Sequence, residues 1–558
     1  MCRGVVLCFV GLLIFSVTAI AQPQYGFRIS FTDKGGTTHS LSNPLGFLSQ
    51  RAIDRRTAQG IAVDSTDLPV SADYMDSVLT LTGAKLHMTS KWFNYTVILL
   101  YDSSKILTLQ SKPFIKGIEY MAYYPAGLHK PAKNTQPTAG NDTFKLPLKT
   151  TGTDAYYGVT YLQNSIVCGD YLHDIGWKGQ GKIIAVLDEG FANVNTAPAF
   201  DSMIQSGRLI DQYNFGDAST NVFANGMHGT TSLSTMAGNL PGTYVGTAPY
   251  AEYALYTTEI GGSEQHLEMD NIMAASERAD SLGADVITIS LGYDVFNLPD
   301  LSYSLKYADI DGKTTIAARA ANTATSKGIL FVASAGNEGG GTWNYILTPG
   351  DADSAITIGA VGLDKVPAPN SGYGPNAAGH IKPDVCMVGV RAYVMSSGAP
   401  YTSSGTSWAT PQLAGWAACL MQASGNFTPY EIRTAIQKSA NLYNNPGNQL
   451  GYGVPNFCYA LELLNVKKLP KLPNANEWIT AGPNPFNNKL SLRAYNEKKG
   501  TLEIVVTDIS GKVIYSETSP ADSGLQSLSI DLPDLARGVY FLKASTEDKR
   551  QVLKLLKD

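Results

Sequence analysis

Three short stretches of this chain carry the residue types that acyl transfer needs. "AVLDEGF" holds Asp188, "NGMHGTTSLSTMAG" holds His228, and "SSGTSWATPQLAG" holds Ser407. A carboxylate can orient an imidazole, the imidazole can take a proton, and a hydroxyl so relieved can attack a carbonyl carbon. Singly, each residue also has a plain reading: Asp188 as a turn former, His228 as a structural histidine, and the Ser/Thr cluster at 403–410 as the cap of the Ala-rich helix that follows. Only their convergence in space would make them a site.

The elements around them argue for convergence. From "GKIIAVLDEGF" onward, short apolar β-branched runs alternate with amphipathic helices, the pattern of an α/β fold with a parallel sheet and helices on its faces. In "EMDNIMAASERADSLGADVITISLGY", Ile272, Ala275, Ala279 and Leu282 share one helical stripe, Gly283 stops the helix, and "DVITISLG" reads as a buried strand. "TPYEIRTAIQKSA" opens a helix with Thr428 as cap, Pro429 at the first position and Glu431 completing a capping box. Asp188 ends a predicted strand, while His228 and Ser407 open predicted helices. In an open α/β sheet those are the places where ligands sit.

Either side of this segment the style changes. Residues 22–125 read as a small α+β domain and 126–154 as a Pro/Thr/Lys/Gly linker. The α/β domain spans 155–464. A second linker covers 465–485, and 486–558 read as an all-β sandwich with a two-residue alternation. The N-terminal "MCRGVVLCFVGLLIFSVTAIAQPQ" has Arg3, one apolar run and the small residues Ala19 and Ala21, so residues 1–21 are expected to be an export signal. A net charge of −5 supplies no basic footprint for nucleic acid. Four cysteines follow the signal, Cys168, Cys386, Cys419 and Cys458; three pairings are open, with Cys419 on an apolar helix reading as a buried thiol.

"VLDEGF", "HGTTSLSTMAG", "SAGNEGG" and "SGTSWATPQLAG" resemble the signature segments of the subtilisin-like serine proteases, over roughly residues 155–462. The resemblance implies a subtilisin-like fold and an endopeptidase working through Asp188, His228 and Ser407 with an acyl-enzyme intermediate. It implies an oxyanion hole from Asn337 and Ser407. It also implies substrate contacts along Ser290, Leu291 and Gly292 and along Ala333, Ser334, Ala335 and Gly336. No cofactor is required; structural calcium stays open without a motif for it, since "DIDG" at 309–312 hints at a calcium loop but lacks the rest of one.

The chain departs from the family pattern at Glu189, after the Asp, where it would raise the basicity of the site or meet a basic substrate residue. It departs again at Trp408, after the Ser. By the same resemblance, the N-terminal domain is a folding and inhibitory propeptide. The C-terminal segment, with "AGPNPF" and "GVYFLKAS", separately resembles the type IX secretion sorting domain of the Bacteroidetes, and that resemblance implies a secreted or cell-surface protein. The expected partners are polypeptide substrates, the chain's own propeptide and that secretion machinery. A sedolisin-like acid peptidase shares "SGTS" but uses carboxylates as acid and base. An inactive surface binding protein on a protease fold is the rival of another class.

Overall fold

The computed structural model describes residues 24–124, 154–464 except 225, 261–263, 297–303 and 425, and 478–557 except 483–484, 487, 497–498 and 522–523. The expected export signal, the 126–154 linker apart from Asp154, and residues 465–477 lie outside the described residues.

The N-terminal domain comprises β1 (Gln24–Phe31), α1 (Gln50–Ala58), α2 (Ala72–Thr82), β2 (Lys85–Ser90), β3 (Tyr95–Leu100) and β4 (Ile115–Tyr124). Its antiparallel sheet runs β2-β3-β1-β4. Strand alternation gives the sheet two different faces. Phe27, Ile29, Phe31, Ile98 and Leu100 form the domain's own core with Val78 of α2. Met88, Tyr95, Val97 and Met121 instead join an apolar cluster belonging to the next domain.

That domain contains α3 (Asp154–Tyr157), α4 (Tyr161–Ser165), α5 (Asp170–Asp174), β5 (Ile183–Asp188), α6 (Asp201–Gln205), β6 (Leu209–Asn214), α7 (His228–Ala237), β7 (Asn239–Leu240), β8 (Tyr244–Val245) and β9 (Glu252–Thr257). It continues through α8 (His266–Leu282), β10 (Val286–Ile289), α9 (Ile316–Ser326), β11 (Leu330–Ser334), β12 (Ile356–Val361), β13 (Val385–Val388), β14 (Ala392–Val394) and β15 (Tyr401–Ser403). It closes with α10 (Thr406–Ser424), α11 (Pro429–Lys438) and α12 (Phe457–Leu463). Seven parallel strands order as β13-β12-β11-β10-β5-β9-β6. The central strands are buried at every position, as continuous apolar runs require when both faces are covered. α7, α10, α11 and α12 cover one face, and α8 with α9 covers the other. Cys168 and Cys458 form a disulfide across 290 residues of sequence. Cys386 and Cys419 are buried thiols, and burial pushes Cys386 up to about 12.

The outer side of α8 is where the N-terminal domain docks. Arg28 of β1 makes a two-pronged ion pair with Asp270 at 2.9 and 2.6 Å. Arg55 and Arg56 of α1 each reach Asp280 at 2.6 Å. The Glu277 carboxylate accepts the Ser90 hydroxyl and the Lys91 and Trp92 backbone N–H groups. A helix face rich in acids, readable as solvated, is thus buried and matched by arginines and backbone donors.

The C-terminal strands are β16 (Ile479–Gly482), β17 (Lys489–Asn496), β18 (Gly500–Asp508), β19 (Val513–Ala521), β20 (Gly524–Asp531), β21 (Gly538–Ser545) and β22 (Arg550–Lys557). Two sheets, β16-β17-β20 and β19-β18-β21-β22, share one apolar core. β16 pairs antiparallel with β17, so the stretch read as a linker to residue 485 already contains a strand. Pro and Asn residues flank this four-residue run and hid its alternation.

Candidate active site

Sheet topology puts Asp188 at the carboxyl end of central strand β5, between β10 and β9. α7 starts against that end because Gly229 has no side chain: a Cβ there would lie 2.4 Å from the Gly190 carbonyl oxygen and 2.8 Å from Asp188 Cβ. The approach places His228 Nδ1 2.7 Å from Asp188 Oδ1. The same Oδ1 accepts the Glu189 N–H at 2.8 Å, and Asp188 is fully buried. Burial lowers the basicity of His228. The Asp188 carboxylate, by charge and hydrogen bond, and then Glu189 and Glu259 outweigh it, so the imidazole sits above its ordinary range. The His228 backbone N–H donates to Glu189 Oε1 at 3.0 Å.

Ser407 lies in the first turn of α10 and is 6% exposed. Gly405, at φ +155°, turns the chain into that helix, its N–H held by the Gly389 carbonyl at 2.8 Å. Inside α10, Pro411 has no N–H to give the carbonyl four residues back, which is that of Ser407. The Ser290 hydroxyl donates to that carbonyl at 3.1 Å, and the Ser407 hydroxyl donates to the Ser290 carbonyl at 3.2 Å. This reciprocal pair ties β10's end to α10. The resemblance implies only a substrate contact for Ser290; the tie is not foreseen from the sequence, although a proline four residues after the candidate nucleophile is a local signal for it. No hydrogen bond joins Ser407 to His228 among the described residues. The Trp408 ring stands 5.0 Å from the His228 ring, and its Nε1 donates to Ser403 Oγ at 3.0 Å.

Asn337 follows β11. Its Oδ1 accepts the Thr406 N–H at 3.0 Å and the Thr406 hydroxyl at 3.2 Å, which fixes the amide beside the start of α10 and leaves Nδ2 as its outward donor. The substrate segments end the neighbouring strands β10 and β11, with Leu291 and Gly292 half-buried and Ala333, Ser334, Ala335 and Gly336 buried. Their glycines have a packing reason. A Cβ on Gly292 or on Gly336 would lie 2.6 Å from Leu347 side-chain atoms. The Ala335 and Gly336 carbonyls are taken by the Leu347 and Gly372 N–H groups.

The "DIDG" carboxylates close local turns: Asp309 accepts the Lys306 N–H, and Asp311 accepts those of Lys313 and Thr314. Among the described residues, Glu259, Glu264 and Glu268 bring carboxylate oxygens within 4.8 Å of one another. Glu268 already accepts the N–H groups of Ile260 and Gln265.

Three family models match stretches of this chain. A family described as "Subtilase family" matches residues 179–453. "Peptidase S8 propeptide domain, Bacteroidota" matches 26–138, and "Secretion system C-terminal sorting domain" matches 482–558. The M-protease of Shouchella clausii is 32% identical over 286 residues, 51% of this chain and 65% of that protein. Subtilisin Savinase of Lederbergia lenta is 32% identical over 286 residues, 51% of this chain and 92% of that protein. A thermophilic serine proteinase of a Bacillus species is 31% identical over 309 residues, 54% of this chain and 67% of that protein.

Proposed function

The chain belongs to the subtilase family, and from that premise we propose that it is a secreted serine endopeptidase in which Asp188, His228 and Ser407 act as a triad. The 2.7 Å contact between Asp188 and His228 at the end of β5, with Ser407 bonded to Ser290 at the end of the neighbouring strand β10, supports this reading. With Nδ1–H donated to Asp188, Nε2 is the basic nitrogen. The Ser407 hydroxyl turns from the Ser290 carbonyl to Nε2, gives up its proton and attacks the scissile carbonyl. The imidazolium then protonates the leaving amine, and water repeats the sequence on the acyl-enzyme. Charge on the tetrahedral oxygen meets two donors: the Ser407 N–H, left over at the helix start, and Asn337 Nδ2. An extended substrate adds as a strand along Ser290–Gly292, where the Gly292 backbone makes no hydrogen bond among the described residues.

The docked N-terminal domain is the propeptide and acts as inhibitor. The sorting domain directs the protein through type IX secretion to the cell surface or outside. No metal or other cofactor enters the reaction.

A fluorophosphonate probe tests the assignment. The secreted protein is expected to be labelled and Ser407→Ala is not; labelling that persists in the variant removes Ser407 as nucleophile. Activity rising from pH 6 to 8 fits an imidazole base, whereas an optimum near pH 4 favours the carboxylate chemistry of the sedolisin-like alternative.

A further inference from the structure

His228 is the first residue of α7, and that position sets two physical problems. Its backbone N–H is an orphan of the helix start, and Met227, in the capping position, offers no side-chain acceptor. The positive end of a ten-residue helix also lies against the imidazole, which opposes its protonation. Sequence-local capping solves neither. The solution comes from another element: Glu189, one residue beyond β5, accepts the His228 N–H at 3.0 Å through Oε1. Asp188 and Glu189 are adjacent in sequence, so one strand end holds His228 twice, by ring and by backbone. On the other side, Trp408 bounds the ring at 5.0 Å and is itself fixed by Ser403 and by an apolar cluster with Val388, Ala392 and Val394.

We propose that Glu189 is a positioning residue for the base: it caps α7 from outside the helix, fixes the first turn that carries His228, and sets a negative charge at the helix's positive end. This rests on the reading of His228 as the base. It gives the departure from the family pattern after the Asp a role in the catalytic apparatus instead of in recognising a basic substrate residue. The groups facing His228 are Asp188 at the end of β5, Glu189 just beyond it, Glu259 beyond β9, and Trp408 on α10. Three of them are carboxylates, and Glu189 is the one that also holds the backbone. The carboxylate favours the imidazolium, so its removal lowers the pH at which the base becomes free.

Glu189→Gln keeps an acceptor oxygen and loses the charge. In full-length protein carrying Ser407→Ala, the His228 imidazole is titrated by NMR with and without Glu189→Gln. In the Ser407 protein, kcat and KM are followed against pH on one substrate free of basic residues and one with Lys beside the scissile bond. The expected result is a fall of about 0.5–1 pH unit in both the imidazole midpoint and the acid limb of kcat/KM. KM should stay within about twofold for both substrates. An unmoved midpoint, or an effect confined to KM for the Lys substrate, overturns the proposal.

The wild-type protein gives a reading that needs no variant. The His228 amide should be protected from hydrogen exchange although it lies at a helix start, and exchange at the rate of a solvent-exposed amide overturns the proposal. Because the titration and the exchange do not depend on turnover, a moved midpoint in a protein that neither cleaves nor labels would sink the peptidase reading and leave the role of Glu189 standing.

Discussion

Asn337 is exposed, yet its orientation is not free, because Thr406 donates both its N–H and its hydroxyl to the Asn337 carbonyl oxygen. A wrongly turned amide would set two donors against two donors, so Nδ2 is kept facing the side where an oxyanion develops. That charge is absent from the bound substrate, so the contact belongs to the transition state. Asn337→Ala should therefore lower kcat by about 10²–10³ with KM nearly unchanged, the loss seen when one such donor is removed from a subtilisin. Steady-state kinetics on a peptide substrate check it, and a tenfold rise in KM at constant kcat would make Asn337 a ground-state contact.

Between elements, buried polar pairs do the joining. α5 is fixed to the core by His173, whose Nδ1 accepts from the Tyr157 hydroxyl at 2.8 Å while Nε2 donates to the Thr247 carbonyl at 2.9 Å. The ring lies against Tyr157 and Trp416, and burial pushes its basicity down to about 3. In the unfolded chain the imidazole titrates near 6.5. The folded value is the lower one, so protons bind the unfolded state first. Stability from this group is complete above about pH 6.5 and is lost toward pH 3, at roughly 1.4 kcal/mol per pH unit. Urea unfolding of wild type and His173→Gln at pH 7 and pH 4.5 should show a pH penalty larger in the wild type by about 2–3 kcal/mol. Equal penalties would mean that the buried histidine is already charged. Asp384, ending the turn into β13, is the opposite case. Burial alone would raise it, but Arg433 and Lys382 hold it down at about 2.

At the scale of the molecule, the N-terminal domain completes the far face of the α/β sheet. Met88, Tyr95 and Val97 join the apolar cluster that holds Ile272 and Ala275, and Arg28, Arg55 and Arg56 neutralise Asp270 and Asp280. A parallel sheet relies on long-range pairings that form slowly, so a domain that binds two of its covering helices suits a folding template. We expect the chain to cut itself between the two domains. Wild type should accumulate as a form lacking residues 22 to roughly 130–150, and Ser407→Ala should keep the first domain. Intact-mass measurement of both, in a host without other extracellular proteases, decides it. Equal trimming would name another protease, and retention in both would mean that the domain is not a removable propeptide.

What could be read directly from the chain was local. Strand β5 ending at Asp188, α7 opening at His228, the Gly283 stop of α8 and the Thr428 capping box depend on neighbours within four residues, and each stands in the structure. The family resemblance added which hydroxyl of "SSGTSWATPQLAG" to consider, because three serines and two threonines share one local chemistry. Tertiary structure decided whatever joins distant residues. It joined Cys168 to Cys458 and left Cys386 and Cys419 as thiols, where the sequence left three full pairings open. It buried the acidic side of α8, whose i, i+3, i+4 pattern looks the same whether water or a second domain lies against it. It put Glu189 on the backbone of a residue 39 positions away, and Ser290 on the carbonyl that Pro411 leaves unbonded. Periodicity and capping are short-range consequences of backbone geometry. A hydrogen bond between strand ends depends on sheet order, which no local pattern encodes.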